Sequence, residues 1–185
     1  MINSLLQELA GSPNDAGINF RLGVEYQKLG QFATAVSFFL KAAEYGYADY
    51  EEIVYSSLIR ISNCFNKLGG RQHTVLNSLL QAVAYNAYRP EAYFLLARYY
   101  ERNNKWAECY ATAATGLTFA DKSSSVDLEY PGRVGLLFEQ AVSAWWVGRQ
   151  DESKKIFVEL LRGHMLDQLH RSAVFNNLER LGIKM

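Results

Sequence analysis

The chain has 185 residues and equal numbers of basic and acidic side chains, 19 of each, so its formal net charge is zero. Hydrophobic residues make up 49% and aromatics 14%, too much apolar surface for a disordered chain. Three prolines and 13 glycines exclude collagen-like and low-complexity structure. The absence of a basic excess disfavours a nucleic-acid binder.

In chain order, the pattern predicts helices throughout. Residues Ile2 to Ala10 form a short helix with Leu5, Leu6 and Leu9 on one side. Gly11-Ser12-Pro13 ends it, and Asn14 or Asp15 can cap the next helix by accepting free backbone N–H groups. Ile18 to Tyr45 reads as two amphipathic helices around a tight turn at Gly30-Gln31. Leu22, Gly23 and Tyr26 share one face of the first helix, and Ala35, Phe39 and Ala42 share one face of the second. Small Gly23 and Ala35 allow close approach, and Tyr26 and Phe39 fill the flanking space. Gly46 is the expected C-terminal stop.

The pattern then recurs. From near Tyr50, Ile61, Ser62 and Phe65 stand for Leu22, Gly23 and Tyr26, and Gly69 stands for Gly30. Gly70 looks inserted, and beyond it Val75, Leu79 and Ala82 take the places of Ala35, Phe39 and Ala42. The third copy is the clearest: Leu96, Ala97, Tyr100, Asn104, Trp106, Cys109, Ala113 and Gly116. Pro90 sits where a helix begins, and Asn103-Asn104 can take the left-handed turn conformation that Gly30 supplies earlier. Asp121 to Gly132 reads as an irregular loop. A fourth pair follows, with Ala141, Ala144, Gly148, Ser153, Phe157 and Leu160. Gly163 ends it, and a final helix carrying Leu166, Leu169, Ala173, Leu178 and Leu181 is expected to cover the last repeat.

The spacing Leu-Gly-x-x-Tyr, then Gly, aromatic, Ala, aromatic and Ala, resembles the tetratricopeptide (TPR) repeat. The resemblance implies an all-α fold, a TPR-like solenoid of about four antiparallel helix pairs with flanking helices at both ends. It would form one repeat domain over residues 1–185, with units at 15–46, 50–87, 90–120 and 131–162 and a capping helix at 165–181. The turns at Gly30, Gly69, Asn104 and Gly148 are wider apart and less even than the ~34-residue repeat of an ideal array, which predicts an irregular superhelix. Arg89 to Tyr100, Trp106 to Ala111 and Glu139 to Arg149 also resemble the helical repeat regions attached to some family 2 glycosyltransferases. That resemblance implies an accessory module for glycan synthesis; the transferase domain and its Asp-x-Asp motif are absent from the sequence.

Motifs for chemistry are missing. The sequence has no Cys-x-x-Cys, His-Glu-x-x-His, EF-hand loop or P-loop. His73, His164 and His170 read as surface or structural residues, not a metal site, and Ser123 to Ser125 as a solvated loop. Cys64 and Cys109 fall where a small apolar residue fits a helix and read as buried thiols in a reducing cytoplasm. The N-terminus lacks the form of a signal peptide, and no apolar run reaches the ~18 residues of a membrane span. The expectation is therefore a cytoplasmic, non-enzymatic scaffold without cofactor, metal or membrane insertion.

The TPR resemblance places partner binding on the concave groove lined by the first helix of each pair. Helical phase puts there Phe20, Val24 and Gln27, then Ile59, Asn63, Asn66 and Lys67. Phe94, Arg98, Glu101 and Arg102 follow, and then Phe138, Val142, Trp145 and Trp146. Asn63, Lys67, Phe94, Arg98, Arg102, Trp145 and Trp146 form the candidate groove for a protein or peptide. Lys67, Arg98 and Arg102 read either as a small cationic patch for a carboxylate or phosphate, or as a solvated face neutralised by Glu101. Of the adjacent Trp145 and Trp146, one can pack while the other faces the groove. The family's C-terminal carboxylate clamp needs Lys or Arg, then Asn, in its first unit; Phe20 and Val24 stand there, which argues against that clamp. Neutral charge and abundant aromatics leave self-association, a homo-oligomer, open.

Overall fold

A computed structural model of the chain describes residues 1–122, 126–162, 168–180 and 182. Among these the structure is all-helical, with ten α-helices and no strand. They are α1 (Ile2–Gly11), α2 (Ala16–Lys28), α3 (Phe32–Gly46), α4 (Glu51–Leu68), α5 (Gln72–Tyr85), α6 (Pro90–Arg102), α7 (Trp106–Leu117), α8 (Arg133–Trp146), α9 (Gln150–Arg162) and α10 (Gln168–Arg180). The chain forms two compact units, Met1–Ala87 and Tyr88–Met185.

Local chemistry fixes the helix ends. The Asp15 carboxylate accepts the Ile18 N–H at 2.7 Å and caps α2. Pro90 opens α6, where a missing N–H leaves no intrahelical bond unmade. Three of the four tight turns close identically. The N–H of Gln31 bonds the Tyr26 carbonyl, Lys105 bonds Tyr100 and Arg149 bonds Ala144, at 2.8–2.9 Å. Each spans a residue in the left-handed region: Gly30 (φ 72°), Asn104 (φ 56°) and Gly148 (φ 82°). In the second repeat Gly69 and Gly70 both have positive φ and that closure is absent from the turn, the backbone consequence of the inserted glycine.

In the first unit α2 packs on α3, α3 on α4, α4 on α5, and α2 also touches α4. Ala35, Val36, Phe39, Ile61 and Cys64 form its main cluster, and Leu5, Ile18 and Leu22 tie α1 to α2. Gly23 meets Phe39 so closely that a Cβ there would lie 2.6 Å from the ring. Two expectations change. Leu6 is exposed rather than packed beside Leu5, because α1 buries only a narrow stripe on α2. Gly46 has no positive φ and does not act as a left-handed stop; it lies inside the end of α3, where its missing Cβ admits Val54 and Ala16.

In the second unit α6 packs on α7, α7 on α8, α8 on α9 and α9 on α10, with α6 also against α8. Ala141, Val142, Ile156, Phe157, Leu160, Val174 and Leu178 form one core, so α10 covers the last helix pair with Val174 and Leu178. Leu166 and Leu181 of the expected capping helix, and Gly163, fall outside the described residues, as does the side chain of Leu169. The described part of the 121–132 loop packs down: Leu128 is buried, and the Tyr130 hydroxyl donates to the Ala120 carbonyl.

Candidate interaction surface on helices α6 and α8

The first helices of the two pairs in the second unit run side by side, and one residue ladder connects them. A Cβ on Gly135 of α8 would lie 2.7 Å from the Phe94 ring of α6. One turn further along both helices, Arg98 of α6 faces Glu139 of α8, with Nε 3.9 Å from Oε1. The i, i+4 step of an α-helix keeps Phe94, Arg98 and Arg102 on one stripe and Gly135 and Glu139 on another.

Phe94, expected as a groove contact, is only 4% exposed and forms the floor of this surface. The Tyr130 ring meets it edge-on at 5.8 Å and the Arg98 guanidinium lies over it, 5.5 Å from the ring centroid. Arg98 keeps 40% of its side-chain surface, and Arg102, one turn on, is exposed beside half-buried Glu101.

Helical phase does not place Glu139 on the expected groove. It is 6% exposed, and its Oε2 has no hydrogen-bond partner. Its backbone carbonyl accepts from the Ser143 hydroxyl at 2.6 Å and from the Cys109 thiol at 3.8 Å. Burial, reinforced by the negative charge of Glu101 and opposed by Arg98 and Arg102, pushes its carboxyl up to about 8 from 4.5. The signal for it was present: Glu139 shares helical phase with small Gly135 and apolar Val142, an unusual place for a charge.

The remaining candidates are distributed as follows. Asn63 is half-buried and Lys67 exposed, both on α4 of the first unit. In that unit it is Arg60, one position off the expected stripe, that reaches α2, donating to the Gln27 side-chain carbonyl at 2.8 Å and lying 5.8 Å over Phe20. Phe138 and Val142, expected on the groove, pack in the core instead, with Phe138 against Phe157; α8 is turned to bring Glu139 toward α6. Trp145 also packs against that core, and Trp146 stacks on Trp106 at 5.3 Å while staying 50% exposed. Cys64 and Cys109 are free and buried. Among the described residues no His, Cys, Asp and Glu cluster could hold a metal ion, and no helix is long and apolar enough to cross a membrane.

This architecture of stacked helix pairs, left-handed turns and small-residue contacts is that of a TPR-like α-solenoid. No protein-family model and no curated protein matches the chain. Solved structures do. The crystal structure of MamA superposes with a TM-score of 0.68 at 15% identity, over 93% of this chain and 88% of that one. A tetratricopeptide repeat protein from Parabacteroides merdae ATCC 43184 gives 0.74 at 17% identity, over 98% and 66%. PilW, described as a widely conserved type IV pilus biogenesis factor, gives 0.67 at 18% identity, over 93% and 73%. At these identities the likeness establishes the fold. The narrower resemblance to glycosyltransferase-attached repeats finds no support among these neighbours.

Proposed function

We propose that the chain is a non-enzymatic scaffold that holds a partner protein or peptide, and that the α6–α8 face of the second unit is a docking surface. The observation that carries this reading is the state of Arg98. Its guanidinium lies over Phe94 and beyond hydrogen-bond distance of Glu139, with a large part of the side chain in solvent. An arginine laid over a ring and not hydrogen-bonded to its carboxylate neighbour offers its N–H fork to an incoming acidic group, and exposed Arg102 extends the same stripe. The zero net charge argues for a protein partner over a nucleic acid. Two free, buried cysteines suit a reducing, cytoplasmic setting.

The test is affinity capture from lysate of the native host, comparing the wild type with an Arg98→Ala/Arg102→Ala variant and with Lys67→Ala. Retention by the wild type and Lys67→Ala, with loss by the double variant, is the expected result. A protein retained equally by all three docks elsewhere and removes the α6–α8 assignment.

A further inference from the structure

We propose that Glu139 is a protonation-controlled gate on Arg98: the neutral carboxyl leaves the guanidinium to take a carboxylate of an acidic peptide segment, and the ionised carboxylate draws it inward and withdraws it. The inference rests on the docking reading above and adds its ligand chemistry and its control.

The geometry is that of a loose ion pair that has not closed into a hydrogen bond. The Arg98 Nε to Glu139 Oε1 separation of 3.9 Å exceeds the ~2.7–2.9 Å of a charge-assisted hydrogen bond. Oε2 of the same carboxyl is buried without a hydrogen-bond partner. A buried carboxylate in this state is costly and a buried carboxylic acid much less so. Loss of the proton to solvent therefore changes the demand on the nearest cation, and Arg98 is one short movement away. That movement commits the guanidinium N–H groups to Glu139 and takes them from an incoming carboxylate.

The charged and titratable neighbours leave Arg98 as the responding partner. From α6, Arg98, Glu101 and Arg102 face Glu139, Glu101 opposing its ionisation and the two arginines favouring it. From α7 the Cys109 thiol bonds its backbone carbonyl, and burial pushes that thiol up to about 12. Glu152 of α9 is occupied by Arg149, Gln140 and the Tyr110 hydroxyl. With Glu139 neutral, Arg98 and Arg102 outnumber Glu101 on this face, which is complementary to an acidic segment.

The test uses the full chain and a fluorescein-labelled hexaglutamate peptide as probe, with Kd measured at about pH 6.5 and about pH 9, a range in which the probe's own carboxylates stay ionised. Alongside, 13C NMR follows the Glu139 carboxyl in the wild type, which needs no variant to fold. The expected results are a carboxyl titrating near 8 and a wild-type Kd roughly tenfold weaker at the higher pH, the equivalent of one charge-assisted hydrogen bond. Glu139→Gln should bind with the same Kd at both, and Arg98→Ala weakly at both. A wild-type Kd independent of pH, or a carboxyl titrating near 4.5, overturns the gate and leaves docking on α6–α8 standing. No binding by the wild type at either pH overturns the gate together with the acidic-segment chemistry.

Discussion

The Phe39 ring occupies the space where a side chain on residue 23 would begin: a Cβ at Gly23 would sit 2.6 Å from both Cδ1 and Cε1. Phe39 is fully buried and cannot step aside. Gly23→Ala gains about 1 kcal/mol of helix propensity but forces α2 and α3 apart, at a cost of about 1–3 kcal/mol. The net outcome expected in urea unfolding is destabilisation. Phe39→Leu in the Gly23→Ala background should recover part of it, which a simple propensity effect would not produce.

Glu139 makes stability pH-dependent in an uncommon direction. The folded carboxyl holds its proton up to about pH 8, whereas an unfolded chain releases it near 4.5. The folded state therefore binds more protons across that window. The stability contribution is full below 4.5 and is lost as pH rises through about 8. Wild-type Tm is expected to fall by roughly 5–10 °C between about pH 6 and pH 9, and Glu139→Gln should flatten that slope and melt higher at the upper pH. An equal slope in both proteins would assign the pH dependence to other groups.

The two thiols should be inert in the folded chain. Cys64 and Cys109 are fully buried, and burial pushes them up to about 11 and about 12. The thiolate is the reacting species, so iodoacetamide at about pH 8 should label neither until urea unfolds the unit that contains it. Labelling in step with the unfolding curve is the expected mass-spectrometric result; rapid labelling of the native chain would contradict this burial.

Trp146 and Phe157 are both large aromatics of the second unit, but their environments differ. Phe157 is fully buried in the α8–α9–α10 core, whereas Trp146 stacks on Trp106 with half its surface in solvent. Phe157→Ala should cost about 3–5 kcal/mol and Trp146→Ala only about 1 kcal/mol, the scale of a stacked aromatic pair. Comparable losses in urea unfolding would show Trp146 to be as deeply embedded as Phe157.

Much of the fold is legible along the chain. Asp15 marks a helix start by what its carboxylate can accept, Pro90 by what its nitrogen cannot donate, and Gly30, Asn104 and Gly148 by the backbone angles they tolerate. The alternation of small and aromatic residues gives the helix pairs because close approach needs a missing Cβ and a ring to fill the flank. The site was less legible. Phase puts Arg98 and Arg102 on one α6 stripe, but it also puts Phe138 and Val142 on the groove and passes over Glu139, because adjacent helix residues point about 100° apart and the packing of α8 decides which of them faces α6.

Local structure and the repeat follow from the order of residues alone: helix ends, turn conformations and the apolar stripes are set by interactions within a few residues. Packing between distant segments is what buries Glu139 opposite Arg98, makes Phe94 a floor beneath Tyr130 and rests Trp146 on Trp106. Those outcomes depend on the rotation of α8 against α6 and α7 and on how Leu128 and Tyr130 pack down, and burial and charge there come from residues far apart in the chain.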